Sequence, residues 1–177
     1  MRIIAGRYKG RVITLPKTRE TRPMGEKVRG AVFDILGPLD GMSVLDAYAG
    51  SGALGFEALS RGAQQVEAIE MGREAIRAIR GGIVTLDLSF NYQLYEMKVE
   101  TWMAQESNQT KRFDLIFAMP PYAILDRELI SRLGSQLNPD GILVVEYPAK
   151  DTETEVPGLT KVAERSYGDP RIVFYRA

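Results

Sequence analysis

The chain has no cysteine and no histidine. The first absence removes disulfides and thiol chemistry, and nothing points to an oxidising compartment. Together the two absences exclude a zinc site of the usual His/Cys type and a Ser–His–Asp triad, so no metal is expected. No apolar run approaches the length of a membrane span, and the basic N-terminus lacks the apolar stretch of a secretory signal. A cytoplasmic protein without membrane contact is the resulting expectation. What is present is ordinary for a globular protein: 177 residues, 45% apolar and 26% charged. That is most economically one domain, spanning 1–177, with enough chain to bury a real core.

Equal totals of acid and base conceal an uneven distribution. Residues 1–29 carry nine Lys/Arg against Glu20 and Glu26, a net of +7, and the remainder is −7. A basic arm on an acidic body suggests a polyanionic partner met by the arm. The alternative is a solvated basic tail with no partner. Gly6, Tyr8 and Gly10 among the charges favour RNA, with Arg7, Lys9, Arg11, Arg22 and Arg29 as candidate RNA-binding residues. Residues 1–22 form the arm, with Arg2–Ala5 and Arg11–Leu15 as two short strands of a small hairpin.

Helical spacing of Val28, Ala31, Val32, Ile35 and Leu36 predicts a helix over Met24–Leu36, stopped by Gly37-Pro38. From there strands and helices alternate. Strands are expected at Ser43–Ala47, Gln65–Glu70, Gln93–Met97, Phe113–Ala118 and Ile142–Glu146. Helices are expected at Ala53–Ser60, Arg73–Val84 and Ile124–Leu137, the last closed by an Asn138-Pro139-Asp140-Gly141 turn. Thr160–Arg176 reads as two strands around Tyr167-Gly168-Asp169-Pro170. The fold class is therefore α/β, a doubly wound, mostly parallel sheet with an antiparallel C-terminal strand. Glu106–Lys111 and Asp151–Glu155 read as polar loops, Trp102 as a helix packing residue, and Asp34 and Asp114 as surface or turn carboxylates.

Val44–Gly55 reads as strand, glycine-rich turn and helix start. Gly50-x-Gly52-x-x-Gly55 allows tight turning and close backbone approach, and the helix N-terminus offers N–H groups to an anionic ligand. Glu70 closes the next strand 20 residues after Gly50, where a carboxylate can accept from ribose hydroxyls. The glycine pattern alone also fits a dinucleotide, or a turn with no ligand. Asp46, four residues before Gly50, suits the ammonium and sulfonium charges of S-adenosylmethionine better than a pyrophosphate.

Phe113–Tyr122 runs a strand into Met119-Pro120-Pro121-Tyr122. A Pro-Pro-Tyr turn preceded by Asp, Asn or Ser marks enzymes that methylate an exocyclic amino group of a nucleic-acid base. With the motifs above, Thr21-Arg22-Pro23, Phe33-Asp34-Ile35-Leu36, Glu57–Ala63, Gly141–Glu146 and Tyr167-Gly168-Asp169, almost the whole chain resembles the bacterial 16S (small-subunit) ribosomal RNA guanine-N2 methyltransferase family (RsmD-like). The resemblance implies a Rossmann-like class I, seven-stranded S-adenosylmethionine-dependent methyltransferase fold. It also implies methylation of a guanine amino group in ribosomal RNA, free or within an assembling small subunit, by a monomer. The cofactor would touch Asp46, Ala49, Gly50, Ser51, Gly52, Glu70, Met71, Lys98 and Val99. The catalytic turn would be Met119, Pro120, Pro121 and Tyr122, with the Pro120 carbonyl accepting an amino hydrogen and Tyr122 stacking on the base.

Three positions depart from the family's pattern. Met119 stands where an Asp is usual, and a thioether is at best a weak acceptor. Lys98 stands where an Asp or Asn would accept from the adenine amino group. Met71-Gly72 replaces a charged pair. Three readings follow: an active RNA methyltransferase tolerant of Met119, a binding-only relative, or an engineered, inactivated variant.

Overall fold

The computed structural model describes residues 1–16 and 24–177. Its elements are α1 (Glu26–Leu36), β1 (Ser43–Asp46), α2 (Ala53–Ser60), β2 (Gln65–Glu70), α3 (Arg73–Leu86), β3 (Tyr92–Glu96), α4 (Val99–Ala104), α5 (Glu106–Gln109), β4 (Phe113–Ala118), α6 (Arg127–Gly134), β5 (Leu137–Pro148), β6 (Thr160–Ser166) and β7 (Pro170–Arg176). They build one seven-stranded sheet of order β3-β2-β1-β4-β5-β7-β6. All pairings are parallel up to β5, and β7 runs antiparallel to both β5 and β6. The absence of a helix between β6 and β7 dictates the antiparallel β6–β7 pairing, because only a hairpin joins strands through so short a turn.

The central strands are apolar on both sides because both faces are covered. Val44, Leu115, Phe117, Val144 and Phe174 point to one core, shared with Phe33 of α1, Phe56 of α2 and Ile79 of α3. Leu45, Ile116, Ala118, Leu143 and Val145 point to the other, against Trp102 of α4 and Leu129 and Leu133 of α6. Trp102 is fully buried between Tyr95 and Phe113, the packing role expected of it. Strand order reverses between β1 and β4, the switch point at whose carboxyl-end crevice open α/β sheets bind their ligands. Among the described residues no helix is long and apolar enough to cross a membrane.

Five expectations need correction. The N-terminal hairpin forms but is shorter than expected. One bridge, Arg2–Val12, is flanked by Ile13 N–H to Met1 carbonyl at 2.7 Å and Ile3 N–H to Arg11 carbonyl at 3.0 Å, and beyond Ile3 side chains of α2 take the arm's backbone. Glu57 accepts from the Ile4 and Ala5 N–H groups at 2.9 and 3.1 Å, and Ser60 Oγ from Tyr8 N–H at 2.9 Å. The helix expected at Ile124–Leu137 starts at Arg127, where Asp126 caps the Glu128 and Leu129 N–H groups, and Tyr122–Ile124 is a 3-10 turn instead. The Asn138–Gly141 turn lies inside β5, where a register slip opposite Phe113–Leu115 and a positive φ of 63° at Asp140 absorb it. Glu106–Gln109 is a helical turn, not a loop. Asp114 is no turn carboxylate either: from β4 it accepts from Ser43 N–H at 2.8 Å and Asn138 Nδ2 at 2.7 Å, tying three strands together.

Candidate functional site

Asp46 ends β1 and is 1% exposed. Its Oδ2 accepts from Gly55 N–H at 3.3 Å, across the turn it introduces. Its Oδ1 is buried and has no partner among the described residues. Burial pushes this carboxyl up to about 7, the Gly55 N–H opposes the shift, and Glu70 adds to it. A buried acceptor without a donor is costly unless something supplies one. A ligand cation at the crevice would do so, and would restore the ionised form.

The turn after Asp46 is shaped by two close approaches. Gly52 has φ 76°, and a Cβ there would sit 2.7 Å from Phe56 and 3.1 Å from the Tyr92 hydroxyl. A side chain would therefore be excluded by both conformation and space. At Gly50 a Cβ would meet nothing within 4 Å, so that glycine borders open space. Among the described residues no side chain caps the α2 N-terminus. Tyr92, from β3, lies buried beneath the turn with its hydroxyl unpartnered among the described residues. Burial first, and then the Asp46 and Glu70 carboxylates, hold that hydroxyl well above its ordinary value.

Glu70 ends β2 and accepts three backbone N–H groups: Gly50 at 2.7 Å, Met71 at 2.8 Å and Gly72 at 2.7 Å. The carboxylate thus fastens the glycine turn to the next strand, a role that sequence reasoning did not anticipate. Two oxygens carry about four lone-pair sites, so capacity for a hydroxyl remains. Ala49 and Ser51 are buried and Met71 is exposed. Lys98 is exposed at the start of α4, beyond the end of β3, and the Val99 side chain is buried in the second core. All these cofactor candidates lie at the carboxyl ends of β1, β2 and β3.

Across the strand switch, β4 delivers the Pro-Pro-Tyr turn. Met119 is half-buried and packs on the first core, while Pro120 is buried and Pro121 and Tyr122 are exposed. Pro121 carbonyl accepts from Ile124 N–H at 2.9 Å. The Tyr122 hydroxyl donates to Glu146 Oε1 at 2.8 Å. Burial raises both groups: the tyrosine is raised further by its bond to Glu146, which itself works to lower the glutamate. Glu146 was no candidate from sequence. Its legible signals were its place at the end of the Gly141–Glu146 motif and an acid closing an otherwise apolar run.

The arm candidates separate. Arg7, Lys9 and Arg11 are exposed, and Arg11 donates to Thr85 carbonyl at 2.8 Å near the end of α3. Arg7 N–H donates to Ser60 carbonyl at 2.7 Å, so the hairpin tip docks at the C-terminal end of α2, away from the catalytic turn. Arg22 lies outside the described residues. Arg29 is not an RNA contact: it is 1% exposed and donates to Arg2 carbonyl at 2.7 Å and Met24 carbonyl at 3.2 Å, with Glu57 3.6 Å from its Nε. Desolvation drags this guanidinium down while Glu57 and Glu26 hold it up. A cleft of about 380 Å³, bordered by Leu36, Asp40, Met42 and Pro139, opens at the opposite end of the sheet and gathers none of this chemistry.

The family model described as "Conserved hypothetical protein 95" matches residues 1–176. The chain is 33% identical to the ribosomal RNA small subunit methyltransferase D of Haemophilus influenzae, over 90% of this chain and 82% of that protein. It is 31% identical to the Escherichia coli protein of the same name, over 89% and 78%. The solved structure of the E. coli protein yhhF superposes with a TM-score of 0.88 at 29% identity, covering 99% of this chain and 97% of that one. These matches, along almost its whole length, mean that the chain belongs to the ribosomal RNA small subunit methyltransferase D family.

Proposed function

We propose that this protein transfers a methyl group from S-adenosylmethionine to the N2 amino group of a guanine in small-subunit ribosomal RNA, as a single domain over 1–177. The observation that carries the reading is the buried Asp46 oxygen, without a partner among the described residues, beneath an open glycine turn, across one strand switch from Pro120-Pro121-Tyr122. A carboxylate there fits the cationic end of the cofactor, with Glu70 toward the ribose and the backbone of Ala49–Gly52 lining the turn. The cofactor supplies an electrophilic methyl; the chain binds, orients and excludes water. Catalysis is then chiefly positioning of the amino nitrogen, whose lone pair is delocalised into the ring. The Tyr122 ring, exposed while its hydroxyl is tethered, serves as the base platform. Met119 leaves the turn itself without a side-chain acceptor, and Lys98 replaces an acceptor for the adenine amino group, so weaker cofactor binding than in relatives accompanies this reading. RNA, free or in an assembling subunit, meets the exposed Arg7, Lys9 and Arg11.

The test is methyl transfer to small-subunit ribosomal RNA or particles from a strain lacking its own family member, with modified nucleosides identified by mass. N2-methylguanosine is the expected product. A folded protein that binds the cofactor in calorimetry and yields no methylated guanosine would favour the binding-only reading.

A further inference from the structure

Register places a second carboxylate beside the catalytic turn. In the β4–β5 pairing Phe117 lies opposite Val144 and Ala118 opposite Val145, so the next pair is Met119 and Glu146. Phe117 and Val144 belong to the first core, as does the packing of Met119. With side chains alternating along each strand, Met119 and Glu146 therefore share one face, on strands roughly 4.8 Å apart. This is also the face of Asp46, which lies opposite Phe117 in the β1–β4 pairing and bonds to α2. The Tyr122 hydroxyl fixes Glu146 through Oε1, and no hydrogen bond engages Oε2 among the described residues. Glu146 is half-buried, a setting in which a carboxylate exerts strong local electrostatics.

We infer that Glu146 supplies the acceptor that Met119 cannot, receiving hydrogen bonds from the N1–H and N2–H donors of the target guanine. This inference rests on the proposed guanine-N2 activity. Guanine's pairing edge presents two adjacent donors, N1–H and the 2-amino group, and a carboxylate accepts both. Adenine presents no such pair, so Glu146 sets specificity as well as geometry. As the nitrogen lone pair forms the N–C bond and the methyl–sulfur bond breaks toward sulfur, the amino nitrogen becomes cationic. One of its protons then passes to the Glu146 carboxylate and on to solvent. Burial and the nearby Asp169 raise this carboxyl above its ordinary value, which suits it to take that proton. The Tyr122–Glu146 bond has a double use, orienting the acceptor and holding the platform beside it.

The experiment is a double-substitution cycle read in single-turnover transfer at saturating cofactor, with guanine binding as a separate readout. Glu146→Gln is expected to lower the rate by roughly 10²–10³, the scale of one positioned polar group, with cofactor affinity unchanged. Met119→Asp alone is expected to change the rate by less than about tenfold, because an acceptor is already present. In the Met119→Asp background, Glu146→Gln is expected to cost only about tenfold, since the new carboxylate replaces the missing one. Equal losses in both backgrounds would mean that Glu146 acts only by holding Tyr122, and the inference would fall. Tyr122→Phe separates the tether from the acceptor: it keeps the ring and is expected to cost far less than Glu146→Gln. Independently of turnover, saturation-transfer NMR should show guanosine monophosphate bound roughly tenfold better than inosine monophosphate, which lacks the 2-amino group. That preference should vanish in Glu146→Gln. No preference in the unsubstituted protein overturns the inference, whereas an intact preference without any methyl transfer to RNA overturns the proposed activity instead.

Discussion

Asp46→Asn exchanges the buried carboxylate for a neutral group of the same shape, and its effect on stability has a sign set by burial. Below the ordinary value of 3.8 the group is protonated both folded and unfolded. Between 3.8 and about 7 the unfolded chain releases its proton while the folded chain keeps it. Stability therefore falls as pH rises through this window, and the penalty is complete above about 7. Moving an aspartate over that interval corresponds to roughly 4 kcal/mol. The amide keeps the acceptor for Gly55 N–H but leaves its own NH₂ without an acceptor to donate to, which returns about 1–3 kcal/mol. Asp46→Asn should accordingly stabilise the ligand-free protein at pH 8 by roughly 1–3 kcal/mol, or about 3–10 °C in Tm, and by little at pH 5. Cofactor affinity should move the other way, because the amide cannot attract an ammonium or sulfonium. In the unsubstituted protein, about one molecule in ten is ionised at pH 6, so affinity should fall about tenfold per pH unit below 7. Calorimetric melts of both proteins from pH 5 to 8.5, with and without S-adenosylhomocysteine, provide the assay. An Asp46→Asn protein that melts no higher at pH 8, with an unchanged pH slope, would refute the reasoning.

Arg29→Met should cost about 3–5 kcal/mol, because it strips a buried charge network from Glu57, Arg2 and Met24; chemical denaturation measures it. Salt dependence of RNA binding should meanwhile stay unchanged, since Arg29 reaches no phosphate. Replacing Arg7, Lys9 and Arg11 with Ala should weaken RNA affinity and lower the salt slope by roughly one for each phosphate no longer neutralised. An unchanged slope would leave the hairpin tip a bystander.

The doubly wound sheet was legible because its signals are local. Apolar runs at β1, β4 and β5, the glycine turn at Gly50–Gly55, and the helical spacing in α1 and α3 each depend on neighbours along the chain. Elements governed by distant partners were not. The Arg2–Ala5 strand stops at Ile3 because Glu57, more than 50 residues away in sequence, takes the Ile4 and Ala5 N–H groups. The start of α6 at Arg127 is a different case, since the Asp126 cap that sets it is local and lay within the apolar spacing that suggested an earlier start. Asp46, Glu70 and Tyr122 could be singled out since their chain positions, at strand ends and in a Pro-Pro-Tyr turn, mark the crevice mouth. Arg29 could not be told from an exposed arm residue, because sequence gives charge but not burial.

Residue order alone thus determined the βα alternation, the glycine turn with its two acids, and the Pro-Pro-Tyr turn without its acidic neighbour. Only the tertiary structure decided that one Asp46 oxygen lacks a partner among the described residues, that Glu70 fastens the glycine turn, and that Glu146 shares a face with Met119. The last two come from strand order and register. Parallel pairing brings side chains 20 or more residues apart to within a hydrogen bond, and nothing in the local sequence of either strand encodes its partner's register.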